Sequence, residues 1–334
     1  YASQSNDQKV KYDFAKFLIE NADKADNDDI EDAMVEEAFA WLKKLSQAGY
    51  PDAMFTLGEA YMDDNKLSLG YSQLLQAAKR SHAGACYYVG DCNEKGRGTK
   101  KNNRVAMEFY LKSAHAGWKP AIYRVGLAEL YGDLTCKGDP KKAVMWFKRG
   151  AAVADKENPE PLLQLALIFE NGLSPHIKKD ENYARGLLTE GAKLDHAEAQ
   201  YKLGASYEFG KVGCQTDLRE ALNWNEQAAK IGHSEAQFAL AGFFLQGSPG
   251  LINKDSNEAY KWTYKSAIQD HGKAQYAMGY FCEYGIGCVV NLEKAMRWYN
   301  LAADLGDERS CKRLGREMPL KTKTSKSIFG FLKK

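Results

Sequence analysis

The chain has 334 residues, of which 44% are hydrophobic and 27% charged, so it can bury a large core. Its 46 basic and 44 acidic residues give a net charge of +2, which excludes the strong field that nucleic-acid binding requires. Its seven cysteines, an odd number without a CxxC pair, argue against a disulfide framework and favour a reduced cytosolic setting.

The first segment, residues 1–52, is predicted to form an atypical helical hairpin. Two stretches of helical composition flank the acidic stretch 23–37. After the acidic stretch, Ala38 and Trp41 begin a pattern that recurs further along the chain. We therefore expect this hairpin to precede a series of related units.

From residue 53 to residue 307 the sequence repeats itself about seven times. Residues 199–210 follow the frame A-x-x-x-L-G-x-x-Y-x-x-G, and residues 53–61 follow its first nine positions. Apolar residues three and four apart predict one buried face of a helix. Copies of this frame, 32 to 40 residues apart, begin at Ala53, Ala85, Ala121, Pro161, Ala199, Ala236, Ala274 and, in shortened form, Ser310.

The second half of each unit has its own frame, A-x-x-W-x-x-x-A-A-x-x-G, as in residues 221–232. Its spacing also predicts a helix, whose small residues allow close packing and whose aromatic residues fill the gaps between units. Five of the six tryptophans share one position of this frame: Trp41, Trp146, Trp224, Trp262 and Trp298.

Glycine loops such as residues 96–98 join the two halves and are suited to a helix C-cap and turn. An acidic or amide residue follows, as at Asp180, Asp217, Asp255 and Asn291, and is predicted to cap the second helix. Residues 308–318 are predicted to form a terminal capping helix. Residues 319–334 form a tail of basic and apolar residues.

These elements predict an all-α fold, an α/α superhelical solenoid of helical hairpins that bury their apolar faces against neighbouring copies. The two frames resemble the Sel-1-like repeat, a relative of the tetratricopeptide repeat, over about residues 30–318. The resemblance implies a scaffold that binds other proteins, without catalysis.

Part of the chain is also similar to the fungal activators of chitin synthase. The similarity is carried by residues 203–211 (LGASYEFGK), 254–262 (KDSNEAYKW), 274–281 (AQYAMGYF), 285–288 (GIGC) and 302–309 (AADLGDER). It implies a regulatory subunit of septum and cell-wall synthesis, whose partners are a membrane chitin synthase and cortical scaffold proteins. The implied location is cytoplasmic, with peripheral contact at the plasma membrane, septum or bud neck.

A candidate partner-binding surface lies on the first helices, which line the concave face in related solenoids. Tyr88, Arg124, Gln164 and Lys202 occupy one position of the first frame, where the next two copies have Ala239 and Ala277. Varied residues at one position suit a surface that recognises a partner, and Tyr and Arg are common anchors. An ordinary solvated helix face is the alternative interpretation.

The tail is a second candidate, for contact with an anionic membrane or a partner groove. Disorder is the alternative for a terminal segment. The residues concerned are Lys326, Ile328, Phe329, Phe331, Leu332, Lys333 and Lys334.

The sequence predicts no catalytic, cofactor-binding or metal site. Cys86, Cys92 and His82 do not match zinc-ligand spacing, and the loop 96–98 lacks the context of a phosphate-binding loop. Four histidines instead share one repeat position and are expected to bond the open carbonyls at the end of the second helix. They are His82, His196, His233 and His271.

Two other functions remain open from the sequence. One is an adaptor in degradation from the endoplasmic reticulum, or another signalling scaffold; the absence of N-x-S/T sequons disfavours the lumenal role. The other is an enzyme, because some bacterial members of the family were described as β-lactamases. Those members have a disulfide pair in each repeat, which this chain lacks.

Overall fold

The computed structural model of the chain describes residues 7–25, 27–173 and 175–317. These residues form α-helices and turns, with two isolated β-bridges at Leu173–Ile177 and Ser248–Ile252. The chain divides into two compact units, Tyr1–Val153 and Ala154–Lys334.

The first unit contains eight helices in its described residues. They are α1 (Gln8–Ala22), α2 (Asp28–Gln47), α3 (Pro51–Asp63), α4 (Leu67–Lys79), α5 (Ala83–Lys95), α6 (Asn103–His115), α7 (Lys119–Tyr131) and α8 (Pro140–Ala151).

The second unit contains nine helices in its described residues. They are α9 (Glu160–Asn171), α10 (Glu181–Lys193), α11 (Ala197–Phe209), α12 (Leu218–Ile231), α13 (Ser234–Gln246), α14 (Ser256–Ala267), α15 (Gly272–Tyr284), α16 (Leu292–Asp304) and α17 (Glu308–Leu314).

Within each unit, helices that follow one another in the chain pack together, and hairpins such as α3–α4 and α11–α12 have the most extensive contacts. Within a unit, each hairpin packs on the next through the following first helix, as α12 does on α13. The predicted all-α fold of stacked helical hairpins is therefore confirmed.

The predicted division into four segments stays a prediction. Residues 1–52 contain α1 and α2, and α3 begins at Pro51. Helix α17 lies within 308–318. The segment 319–334 lies outside the described residues.

A glycine in the first helix determines how closely the hairpin packs. A Cβ atom on Gly126 would lie 2.5 Å from the Phe147 ring, and one on Gly279 would lie 2.6 Å from the Tyr299 ring. Because real Cβ atoms do not approach this closely, the absence of a side chain makes room for the aromatic ring of the second helix. The recurring spacing of the two frames therefore corresponds to a physical contact inside these hairpins.

The tryptophans lie one residue before the innermost position of the second helix. Trp146 is buried, whereas the other four tryptophans of the frame are half-buried. Trp298 packs against the core cluster that contains Ala274 and Met278, so it joins α16 to the preceding helix, α15. The residues that follow this position are all buried: Leu42, Leu74, Tyr110, Phe147, Leu188, Asn225, Thr263 and Tyr299.

The predicted caps of the second helices are confirmed. Asp180 accepts a hydrogen bond from the N–H of Tyr183, and Asn291 accepts one from the N–H of Lys294. Asp217 and Asp255 cap α12 and α14 in the same way. These side chains satisfy N–H groups that the first turn of a helix leaves without a partner.

The predicted role of the four repeat histidines was wrong in its direction. Each histidine caps the start of the following first helix, where its Nδ1 accepts a hydrogen bond from the backbone N–H three residues later. These N···N distances are 3.0 Å at His82 and 3.2 Å at His196, His233 and His271. The backbone at each histidine is extended, as is usual for an N-cap residue, and the side chain accepts from the first turn of the following helix.

Buried glutamines bond the carbonyls that the histidines were expected to bond. The amide Nε2 atoms of Gln200, Gln237 and Gln275 donate to the carbonyl oxygens of Ala192, Ala229 and Ala267, at 3.0–3.1 Å. Each glutamine thereby ties a first helix to the end of the preceding second helix. Since a buried carbonyl without a partner is costly, this bond specifies how successive hairpins pack.

Candidate partner-binding surface

The four predicted surface residues share one position of the first helices. We number the first-helix frame from its leading residue, so that Ala199 is position 1 and Lys202 is position 4. Tyr88 and Arg124 lie at position 4 in the first unit, and Gln164 and Lys202 lie there in the second. All four side chains are half-buried.

Arg124 is held by two carboxylates of its own chain. Its guanidinium bonds Glu94 at 2.5 Å and Asp133 at 2.8 Å, and only 18% of its side chain is exposed. Burial opposes ionisation, but the hydrogen bonds that Arg124 donates to both carboxylates outweigh it and raise the pKa of Arg124. This pairing within the chain is enough to explain an arginine at this position, and no partner protein is needed to account for it. A role for Arg124 in binding a partner stays a prediction.

The other three position-4 residues also have contacts within the chain. Burial and the neighbouring Glu59, which bonds its hydroxyl, raise the pKa of Tyr88 to about 12. The ammonium group of Lys202 lies 3.5 Å from Glu198. Gln164 has a partner within the chain as well. A role for any of them in binding a partner stays a prediction.

Arg124 belongs to a three-residue arrangement that connects two hairpins. Glu94, at position 10 of the preceding first helix, accepts a hydrogen bond from the hydroxyl of Tyr110 at 2.8 Å. The guanidinium carbon of Arg124 lies 5.7 Å from the centre of the same tyrosine ring. One carboxylate thus links the tyrosine of its own hairpin to the arginine of the next.

The same arrangement occurs again near the end of the second unit. Tyr299 donates to Glu283 at 2.7 Å, and Arg313 bonds that carboxylate. The guanidinium carbon of Arg313 lies 5.2 Å from the Tyr299 ring centre. Glutamate at position 10 and arginine at position 4 of the next copy therefore form a recurring link between hairpins.

A cavity opens on the first helices of the second unit, where position 4 holds alanine. It has a volume of about 340 Å³ and lies among α11, α13 and α15. Ala239 and Ala277 lie at position 4 in α13 and α15, and both line it. Tyr201, Phe238 and Phe281 supply aromatic walls.

Charged groups at this cavity are mostly acidic. Glu208 and Glu235 supply carboxylates and Lys273 supplies one ammonium group. Glu208 is half-buried, and burial raises its pKa. Within the described part of the chain, Glu208 has neither an ion-pair nor a hydrogen-bond partner.

Sequence reasoning missed this cavity although it noticed the two alanines. The predicted surface residues at position 4 are large, whereas the cavity lies where this position holds alanine. The signal was available in the change from Lys202 to Ala239 and Ala277 at one position. What the sequence did not reveal is which side chains of neighbouring helices face that gap.

The structure gives little information on the predicted tail site, on metal binding or on membrane-spanning segments. All seven tail residues, from Lys326 to Lys334, lie outside the described residues. Among residues 7–25, 27–173 and 175–317, no group of three or more His, Cys, Asp or Glu side chains is placed to hold a metal ion. None of the helices in these ranges has the length and apolar composition needed to cross a bilayer.

Comparison with protein families gives one repeated match. The model described as Sel1 repeat matches residues 35–50, 83–118, 119–154, 162–196, 197–233, 234–271 and 272–307. Together these segments cover most of the chain.

Two curated relatives are fungal proteins. The chain is 31% identical to the chitin synthase regulator SKT5 of Saccharomyces cerevisiae, over 93% of the chain and 48% of that protein. It is 34% identical to the SKT5 regulator of Malassezia restricta, over 94% of the chain and 23% of that protein. The chain thus spans about half or less of the length of these relatives.

The fold also resembles that of a solved structure. A protective antigen with an SLR fold, from uropathogenic Escherichia coli strains, superposes with a TM-score of 0.73 at 23% identity. The match covers 94% of this chain and 65% of that chain. At this level of identity the likeness concerns the fold.

Proposed function

The chain belongs to the Sel1 repeat family, and from this premise we propose that it is a non-enzymatic scaffold that activates or localises a chitin synthase. The observation that carries the proposal is its similarity to two fungal chitin synthase regulators over more than nine-tenths of the chain. Since fold alone does not define function, the proposal depends on this similarity and on a surface suited to a protein partner.

The cavity on α11, α13 and α15 supports the proposal. Its apolar walls and few polar groups are typical of sites that take a side chain or small ligand. All but one of its lining residues lie on helices, so the surface is preformed, which reduces the entropic cost of binding. Repeat scaffolds bind partners on surfaces of this kind.

The proposed site of action is the cytoplasmic face of the plasma membrane at the septum or bud neck, beside a membrane-embedded synthase. In this arrangement the scaffold positions or activates the enzyme and performs no chemistry itself. Its contact with the membrane is mediated by the synthase and by cortical proteins.

Complementation tests this function directly. The chain, expressed in S. cerevisiae cells that lack SKT5, is expected to restore chitin synthase activity, measured as incorporation of N-acetylglucosamine into insoluble polymer by isolated membranes. Affinity purification of the tagged chain from detergent-solubilised membranes is expected to recover a chitin synthase. The proposal would be refuted if the chain is expressed as a folded protein but restores no synthase activity and recovers no chitin synthase.

A further inference from the structure

The two tyrosine–glutamate–arginine links provide a template for the cavity. In each link, a position-10 glutamate pairs with a position-4 arginine from the next copy of the repeat: Glu94 with Arg124, and Glu283 with Arg313. Glu208 occupies position 10 of α11, and the next copy has Ala239 at position 4. Both residues line the cavity.

The second helix of this hairpin, α12, also provides no hydrogen-bond donor to Glu208. Where the other links have tyrosine, α12 has Asn225, whose Nδ2 donates to the carbonyl of Ala221 in its own helix. Glu208 therefore lacks both of the groups that bond Glu94 and Glu283. A half-buried carboxylate facing an empty space is costly unless a cation or donor pairs with it.

The cavity matches the shape and chemistry of an arginine side chain. Small residues, including Ala239 and Ala277, leave apolar space for methylene groups, and the Tyr201 and Phe238 rings offer surfaces for a planar guanidinium. In both complete links, the arginine already lies over an aromatic ring. A lysine ammonium group would pair with the charge but would not match a flat carboxylate and a ring together.

We propose that this cavity binds an arginine side chain of the partner protein, with its guanidinium on Glu208 in the position that Arg124 and Arg313 occupy in their own repeats. The partner thereby completes in trans a link that the chain elsewhere completes by itself. The inference rests on the proposed function in requiring a protein partner, and it adds the chemistry by which that partner is recognised.

An intramolecular arginine tests whether the cavity accepts the group. Ala239→Arg is expected to raise the melting temperature by a few degrees, because the new side chain can pair with Glu208. In combination with Glu208→Gln this gain is expected to vanish. Ala277→Arg is the matched control, since it places arginine in the same cavity but opposite Leu245 at position 10 of α13. A gain of the same size in the presence of Glu208→Gln, or a gain from Ala277→Arg alone, would contradict the assigned pairing.

A peptide tests recognition in trans. The probe is a fluorescein-labelled Ala-Leu-Arg-Leu-Ala peptide, compared by anisotropy with an analogue in which neutral citrulline replaces arginine. The arginine peptide is expected to bind at least about tenfold more tightly, as a charge-assisted pair with a carboxylate implies. Glu208→Gln is expected to remove this preference, and Ala239→Arg to abolish binding of both peptides.

Two results with the peptides would overturn the inference. One is equal binding of the arginine and citrulline peptides, or binding of neither at millimolar concentration. The other is an arginine preference that persists in Glu208→Gln. Circular dichroism of each variant identifies any that fails to fold, and Ala277→Arg shows whether filling the cavity at a different point also blocks the peptide.

Capture of the synthase separates the two proposals. If the wild-type chain recovers a chitin synthase and Glu208→Gln recovers at least tenfold less, both are supported. If Glu208→Gln recovers as much as the wild type, the arginine site is refuted while the scaffold function stands. If the wild-type chain recovers none but prefers the arginine peptide, the scaffold function fails and the cavity assignment stands.

Discussion

At the scale of single residues, the packing of a hairpin depends on a glycine in the first helix that lies against a large aromatic side chain of the second helix. Gly126 faces Phe147, and Gly279 faces Tyr299, at distances that no Cβ atom could tolerate. Where alanine replaces the glycine, as at Ala241, the buried residue of the second helix is the smaller Thr263. The sizes of the two residues compensate across the hairpin, as close packing requires.

Gly279→Ala is expected to lower the free energy of unfolding by about 1–3 kcal/mol, because the added methyl group overpacks the Tyr299 ring. Gly186→Ala is the matched control. Gly186 lies exposed within α10 with no atom near its missing side chain, so alanine should stabilise the helix by about 0.5–1 kcal/mol. Urea denaturation of both variants measures the effects, and a stabilised Gly279→Ala would show that this contact is not tight.

Arg124→Met is expected to lower the free energy of unfolding by about 1–3 kcal/mol, because Glu94 loses its charged partner in a partly buried setting. Arg297→Met is the control, since Arg297 and its partner Glu293 are 73% and 76% exposed. Exposed pairs of this kind contribute about 0.5 kcal/mol or less. Equal effects in urea denaturation would mean that the Arg124 link adds no more than a surface pair.

At the scale of the element, each first helix begins with a cap that also contacts the preceding repeat. The Nδ1 atom of His233 accepts the N–H of Ala236, so its proton lies on Nε2, which donates to Glu198 at 2.8 Å. The His233 ring also stacks on Tyr201, with ring centres 4.9 Å apart. One imidazole ring thereby caps the start of α13 and contacts α11.

These caps are expected to make stability depend on pH. Burial lowers the pKa of His82, His196 and His271. Unfolded histidines bind protons near pH 6.5, so the unfolded chain takes up protons that the folded chain does not. The free energy of unfolding should therefore fall as the pH drops from about 7 through this range, by up to about 1.4 kcal/mol per pH unit for each histidine.

A cap that does not titrate provides the control for this pH dependence. The combined variant His82→Asn, His196→Asn and His271→Asn keeps an accepting side chain, as Asn102 and Asn291 already do at the starts of α6 and α16. Urea denaturation at pH 7.5 and 5.5 should give a smaller difference for the variant than for the wild type. Identical differences would assign the pH dependence to other groups.

At the scale of the whole molecule, the extensive helix contacts within each unit join helices that are neighbours in the chain. Stability in such an arrangement is approximately a sum of repeat terms and nearest-neighbour terms. A local defect should therefore loosen adjacent helices more than distant ones, even within one unit.

Hydrogen exchange tests this locality within the second unit. In Gly279→Ala, amide protection is expected to fall in α15 and α16 and in the neighbouring α14 and α17, while α9 and α10 keep wild-type protection. Mass spectrometry of peptides from each helix measures the difference. Equal loss of protection in all nine helices would show that the unit opens as one cooperative body.

The sequence by itself determined the features that depend on local spacing. The two frames predicted paired helices, and Asp180 and Asn291 were correctly predicted as caps, because a cap and its N–H group are only three residues apart. The similarity in residues 254–309 also indicated the chitin synthase regulators. Caps and repeated motifs involve residues at fixed, short separations, so they can be recognised from the order of residues alone.

The tertiary structure alone decided which side chains meet across repeats. Glu94 and Arg124 are 30 residues apart, and whether they pair depends on how one helix is set against the next. The same packing left Glu208 and Ala239 lining one cavity. Such contacts depend on distances and directions between helices, which residue spacing along one chain does not specify.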